Sequence, residues 1–332
     1  MISDNKIVLD CDPGEDDALA ILLALAKDID VAALVCGFGN TAARKTHKNG
    51  AGLLTLAGRT DVPLFKGTEK PYRPHPFEQE IVSAGDFVGD NGLCGVELPE
   101  APDFLSTGID DPEEDRIQII SDLVRKTGPL TYIVTGPCAT LAHVLDKLGS
   151  EAHAFIRHVI IMGGALDAAG NTGPINPETG KSYAEFNFYC DPHGVQRVFD
   201  SGLPITLVPW DLTEQIVLTY GELAGLSSKT PQGSFVLELM KNFLESYGNV
   251  HERSFEFNDC ITITAFEQEG EFRDERVRLV LEGNQTGRLV RDEQGTAMRF
   301  FHLGRDGILP VRNTILNDLD IEVAKPEAKK AS

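Results

Sequence analysis

KIVLDCDPGEDDALAILLAL, residues 6–25, joins two apolar runs through a turn that carries Asp10, Asp12, Glu15, Asp16 and Asp17. The first run is short and β-branched, as in a buried strand; the second has helical length and composition. So many carboxylates in one turn repel one another unless something compensates them. One compensation is local: Asp12 as an N-cap, Pro13 as the first helical residue and Glu15 as the return partner of a capping box, with the helix dipole favouring acids in the first turn. That reading leaves Asp10 and the Asp16–Asp17 pair unexplained. Asp16 and Asp17 project about 100° apart on a helix, so one can hold a cation while the other meets a ligand hydroxyl. Crowded carboxylates favour protonation unless a cation neutralises them. The donors are hard oxygens with no His or Cys cluster beside them. That excludes zinc and copper, leaves Mg²⁺, Ca²⁺ or Mn²⁺, and favours Ca²⁺.

Outward from this turn, short apolar runs alternate with helical patterns. Strands are expected at 7–11, 31–36, 131–135, 158–162, 205–210 and 277–281. Helices are expected at 16–26, 43–57, 112–126, 139–148, 192–201, 234–247 and 259–267. The alternation predicts an α/β fold with an open, mostly parallel, Rossmann-like sheet and flanking helices. Residues 1–323 read as one domain with a lid-like insert at about 63–111, and 324–332 as a disordered tail. Ligands of such sheets bind beyond the carboxyl ends of the strands. Those exits carry the acidic turn, Asn40, Thr135-Gly136-Pro137, Met162-Gly163-Gly164 and Trp210-Asp211.

Composition narrows the partner. Among 332 residues, 51 acids face 30 bases, for a net charge of −21. Such a surface repels nucleic acid and anionic lipid, so a neutral or cationic small molecule is expected. No basic, apolar leader precedes the first strand and no apolar run spans a bilayer. The six cysteines are scattered among apolar neighbours without a C-x-x-C. They read as core residues of a cytoplasmic protein.

Several blocks together resemble the nucleoside hydrolases, the inosine–uridine-preferring N-ribohydrolase family. They are DCDPGEDDALAILLAL, GFGNT, VGDNGL, VTGPCATLA, IIMGGAL with the following GN, AEFNFYCDP and FNDCITITAF. The resemblance implies the nucleoside hydrolase fold and a Ca²⁺-dependent enzyme that cleaves ribonucleosides to ribose and free base. It implies Asp12, Asp17, the Thr135 carbonyl and Asp259 as calcium ligands, with Asp12 also the general base. Asp16, Asn171, Glu185 and Asn187 would meet the ribose hydroxyls, with Asn40, Met162 and Asn258 nearby and Asp10 behind the ligands. The expected partners are a ribonucleoside and further copies of the chain, as a homodimer or homotetramer.

Many members carry a histidine before the last calcium aspartate as the acid for the leaving base, and another in the lid. Asn258 and Val88 stand at those places. Leaving groups that need no proton are therefore expected to be favoured. His75, Tyr247 and His251 are substitute donors by type, each read as a solvated loop residue. Candidate aromatics for the base are Tyr72, Phe77, Phe87, Phe186, Trp210, Tyr247, Phe255 and Phe257. Two other readings use the same residues. One is a nucleoside-binding protein of this fold with weak activity. The other is a haloacid dehalogenase-like phosphatase with Asp10 as nucleophile, although Gly14 stands where that motif has Thr or Val.

Overall fold

Ile7, Val8 and Leu9 are buried on both faces of the first strand, and a parallel neighbour covers each of its edges. A computed structural model describes residues 5–75, 88–246, 253–267 and 271–323. In chain order the strands are β1 (Lys6–Cys11), β2 (Asp30–Cys36), β3 (Leu64–Lys66), β4 (Leu130–Val134), β5 (Ile156–Met162), β6 (Gly170–Ile175), β7 (Ile205–Val208), β8 (Val217–Thr219), β9 (Leu226–Ser227), β10 (Ser254–Glu256), β11 (Glu271–Leu279), β12 (Leu289–Arg291), β13 (Thr296–His302) and β14 (Glu322–Val323). Nine of them form one sheet in the order β12-β11-β13-β7-β5-β4-β1-β2-β3. Pairing is parallel from β3 across to β13. It turns antiparallel only where β11 meets β12 and β13.

Ile7, Leu9 and Cys11 face the layer containing α1 (Glu15–Ala26), which packs against helices Pro231–Glu245 and Cys260–Glu267. Val8, Tyr132 and Val134 face the opposite layer, with helices Glu113–Thr127, Ala139–Leu148 and Pro192–Phe199. Neighbours on every side explain why α1 is apolar nearly all round, with Ala18 through Leu25 buried. The parallel strands β1, β2, β4, β5 and β7 all end on one rim, which gathers the expected polar exits.

The expected parallel strands and their helices are present, with ends shifted by a few residues. Helix Pro231–Glu245 begins before the expected 234, because the Thr230 hydroxyl caps it by accepting the Gly233 N–H at 3.2 Å. The strand expected at 205–210 stops at Val208, and Pro209 leads into a short helix, Trp210–Thr213. The strand expected at 277–281 begins six residues earlier, since Glu271 to Asp274 are exposed and, Phe272 apart, polar, which hides the pairing from a hydrophobicity pattern. Strand β13 and helix Arg305–Asp318 were not expected; the helix holds Pro310 in its interior, a residue that reads as a break. In the insert, β3 joins the sheet edge and Asp103–Ser106 forms a 3₁₀ turn. The residues 76–87 of that insert and the tail 324–332 lie outside the described residues.

Strand β10 is short, pairs with three-residue β8, and leads into the Asn258-Asp259 turn. Phe255 and Phe257 are fully buried there, edge to face with centroids 5.6 Å apart. Phe257→Ala should cost about 3–5 kcal/mol of unfolding free energy. Urea denaturation checks this; an unchanged midpoint would show that the rings do not anchor the turn.

Candidate active site

After β1 the chain turns through Asp12-Pro13-Gly14 into α1. The helix is capped by its own third residue: Asp17 Oδ2 accepts the Gly14 N–H at 3.1 Å. Gly14 is the N-cap, so the cap suggested for Asp12 and Glu15 is not what forms. Asp12 is instead turned to the cavity. Its Oδ2 accepts the Asn40 N–H at 2.6 Å, while the Asn40 side chain donates to the Asp12 carbonyl at 3.2 Å and to Asp17 Oδ2 at 3.1 Å. Two backbones press on the Asp12 carboxylate. A Cβ at Gly39 would lie 1.9 Å from Oδ2, and one at Gly136 would lie 2.4 Å from Oδ1. Only glycine permits that approach.

Asp17 is fully buried, and its Oδ1 accepts the Thr135 hydroxyl at 2.7 Å. Asp10 is also buried and takes the Tyr132 hydroxyl at 3.1 Å. Burial pushes Asp10 up to about 8, against that hydrogen bond. Asp16, Asp17 and Asp259 offer carboxylate oxygens that lie within 4.8 Å of one another, a group able to hold a metal ion. Asp12 lies outside that tight group but lines the same cavity as Asp16 and Asp259. Burial, then repulsion from Asp16, pushes Asp17 up to about 7 and Asp259 well above the usual carboxylate range. Burial and the Asp17 charge do the same to Asp12. A cation would restore the charged forms, and these all-oxygen donors suit a hard one.

The opposite wall comes from later exits. Glu185 caps helix Phe186–Cys190, accepting the N–H groups of Asn187 at 2.8 Å and Phe188 at 3.1 Å, and also that of Gly164 at 2.9 Å. It is therefore not a solvated acid; burial pushes it up to about 7 despite those bonds. Asn187 joins two strand ends, donating to the Thr135 carbonyl at 2.8 Å and the Met162 carbonyl at 3.3 Å. Asn171, on β6, lines the same wall. Asn258 donates to Asp16 Oδ2 at 3.1 Å.

One cavity of about 450 Å³ collects the expected residues; only Asp10 and Asp17 lie behind its surface. That volume suits a small organic ligand. Phe186 and Trp210 line it, as does Val88. Phe255 and Phe257 do not, being core residues, and Tyr72 holds Asp146 instead at 2.8 Å. His75 is buried against Tyr189, with ring centroids 5.0 Å apart, rather than solvated, and it does not line the cavity. Phe77, Phe87, Tyr247 and His251 lie outside the described residues. The sequence reading missed Glu15 as a lining group, and with it Thr172, Phe243, Arg253, Ser254 and Glu256. For Ser254 and Glu256 a signal existed: S-F-E-F-N alternates polar and aromatic at the period of a strand.

The profile of the family described as inosine-uridine preferring nucleoside hydrolase matches residues 7–322. The chain belongs to this family. Its relatives among nucleoside hydrolases include the pyrimidine-specific ribonucleoside hydrolase RihA of Escherichia coli K12, 35% identical over 242 residues, 72% of this chain and 71% of that protein. A plant nucleoside hydrolase superposes with a TM-score of 0.80 at 22% identity, over 96% of this chain and 99% of that one. A purine-preferring ribonucleoside hydrolase from Gardnerella vaginalis gives a TM-score of 0.78 at 25% identity, over 95% and 98%. The protein is an N-ribohydrolase with the nucleoside hydrolase fold. The phosphatase reading falls with this, and the geometry agrees. Asp10, its would-be nucleophile, is buried under Tyr132 and does not line the cavity. No described helix is long and apolar enough to cross a membrane.

The raised carboxylates carry a stability signature. Asp10, Asp17 and Glu185 hold their protons in the fold to about pH 8, 7 and 7, whereas the unfolded chain releases them near its ordinary carboxylate values. Their contribution is therefore fully present below about pH 4 and is lost as pH rises toward about 8. With metal chelated, the melting temperature should fall between about pH 5 and about pH 8, and a divalent cation should raise it most at the upper end. Differential scanning fluorimetry tests this; a chelated protein indifferent to both pH and cation would contradict it.

Proposed function

We propose that this nucleoside hydrolase depends on calcium and hydrolyses the N-glycosidic bond of ribonucleosides, releasing ribose and free base. One observation carries the reading: a buried, oxygen-only group of carboxylates at the strand ends opens on a nucleoside-sized cavity with a wall of amides and acids. Asp12, Asp17, Asp259 and the Thr135 carbonyl would hold the ion, with Asp16 beside them. Ca²⁺ suits this set because it accepts many oxygens in flexible geometry. Such an ion, when bound, supplies the charge that keeps these carboxylates ionised and polarises a nearby water.

The remaining work belongs to the side chains. Asp12, fixed by Asn40 and confined between Gly39 and Gly136, takes the proton from the attacking water. Asp16, Asn171, Glu185 and Asn187 meet the ribose hydroxyls, with Asn40 and Met162 completing that end. Cleavage passes through an oxocarbenium-like sugar, and the surrounding carboxylates stabilise its positive charge. Asp10 supports β1 from beneath through Tyr132. Phe186, Trp210 and Phe243 offer the base flat apolar faces.

Asp12→Asn should lower kcat by about 10²–10⁴-fold, the usual share of a general base. Full activity in that variant, or metal analysis of the purified protein finding zinc in place of calcium, would remove the assignment. A ribonucleoside should be preferred over its 2′-deoxy analogue by as much as about 10⁴-fold in kcat/KM, because the missing hydroxyl strands buried polar partners. Comparable turnover of the two would show that these residues do not hold the ribose.

A further inference from the structure

The S-F-E-F-N segment brings an acid to the wall of the cavity that Asn258 and Val88 also line. Strand alternation sends Phe255 and Phe257 into the core and brings Ser254, Glu256 and Asn258 to the cavity wall. Arg253, Phe243, Trp210 and Val88 line the cavity with them. Among the described residues that line this cavity there is no histidine, tyrosine or lysine, and the proton-carrying side chains of that set are carboxylic acids. Asp12, Asp16 and Asp259 belong to the metal end, and Glu185, assigned above to the ribose, already accepts three backbone N–H groups. Glu15 adjoins the metal group in sequence. Glu256 is the lining acid that comes from a different element, and it lies two residues along the strand direction from Asn258.

We propose that Glu256 is the acid that protonates the departing base, a role that rests on the nucleosidase reading above. As the C1′–N bond breaks, its electron pair goes to the base. Glu256 gives its proton to a ring nitrogen or carbonyl oxygen of that base. Water adds its hydroxyl to C1′ and its proton to Asp12. Solvent then returns one proton to Glu256 and takes one from Asp12, so the sum is nucleoside plus water to ribose plus base. The surroundings favour the protonated form of Glu256. Burial, with Asp16 of α1 and Glu214 beyond helix Trp210–Thr213, pushes it up to about 7, while Arg253 and a hydrogen bond from Asn258 oppose that. Glu15 faces it as a further like charge. This proposal departs from the sequence expectation that leaving groups needing no proton are favoured.

The test compares two leaving groups in the full-length calcium-loaded protein. Inosine and uridine need a proton; p-nitrophenyl riboside releases a phenolate that does not. Glu256→Gln should lower kcat on the better natural nucleoside by about 10²-fold or more, yet change p-nitrophenyl riboside cleavage by less than about threefold. Retained cleavage of the aryl riboside also shows that the variant is folded. Equal losses on both substrates, or no loss on either, would overturn the proposal. So would a native protein that cleaves only the aryl riboside. A native protein that cleaves none of the three would instead overturn the nucleosidase reading itself.

Discussion

Mutual repulsion among buried carboxylates is the constraint on which the site is built. Asp12, Asp17 and Asp259 are almost without solvent, and each is held above its ordinary pKa by burial first and neighbouring charge second. Such a group is costly to bury unless donors and a cation compensate it. The local structure supplies the donors. Gly14 and Thr135 serve Asp17, Asn40 serves both Asp12 and Asp17, and Asn258 serves Asp16. These donors come from the turns that follow β1, β2 and β4 and from the turn before helix Cys260–Glu267. The parallel sheet is what brings those chain segments to one rim.

The same sheet separates support from chemistry. Asp10 and Tyr132 lie behind the rim on neighbouring strands, and their hydrogen bond ties β1 to β4 under the acidic turn. Asn187 ties the ends of β4 and β5 by donating to a carbonyl from each. Glu185 uses both carboxylate oxygens to fix the loop after β5 and the start of its own helix. These contacts hold the cavity wall in one geometry, which suits a reaction whose transition state differs from its ground state by charge on the sugar. At the other end, aromatic side chains and the β10 strand form a second wall of different chemistry.

Much of this was legible in the residues. The apolar run, the acidic turn and the apolar helix are contiguous, so their order and their position at a strand exit follow from local pattern. The parallel α/β class followed from alternation, and most residues that the exits and the family blocks point to line one cavity. The antiparallel β11–β13 extension did not follow, because its exposed polar face and the Pro310 inside the last long helix obscure the periodicity. The cap assignment of Asp12 also failed. Sequence offers Asp12 and Glu15 as capping partners, but the close approach of Gly39 and Gly136 to the Asp12 carboxylate, from other parts of the chain, directs it to the cavity.

What sequence alone determined, then, is the set of chemical groups and the strands that carry them, because adjacent residues fix periodicity and turn type. What only the tertiary structure decided is which of these groups share a space. Asp259 lies more than two hundred residues from Asp16 and Asp17, yet their oxygens approach within 4.8 Å. Glu256 was indistinguishable from a solvated acid until the burial of Phe255 and Phe257 fixed the face on which it stands. His75, readable as a loop histidine, is packed against Tyr189. Burial and approach between distant segments are set by packing of the whole sheet and its helices, and no local pattern encodes them.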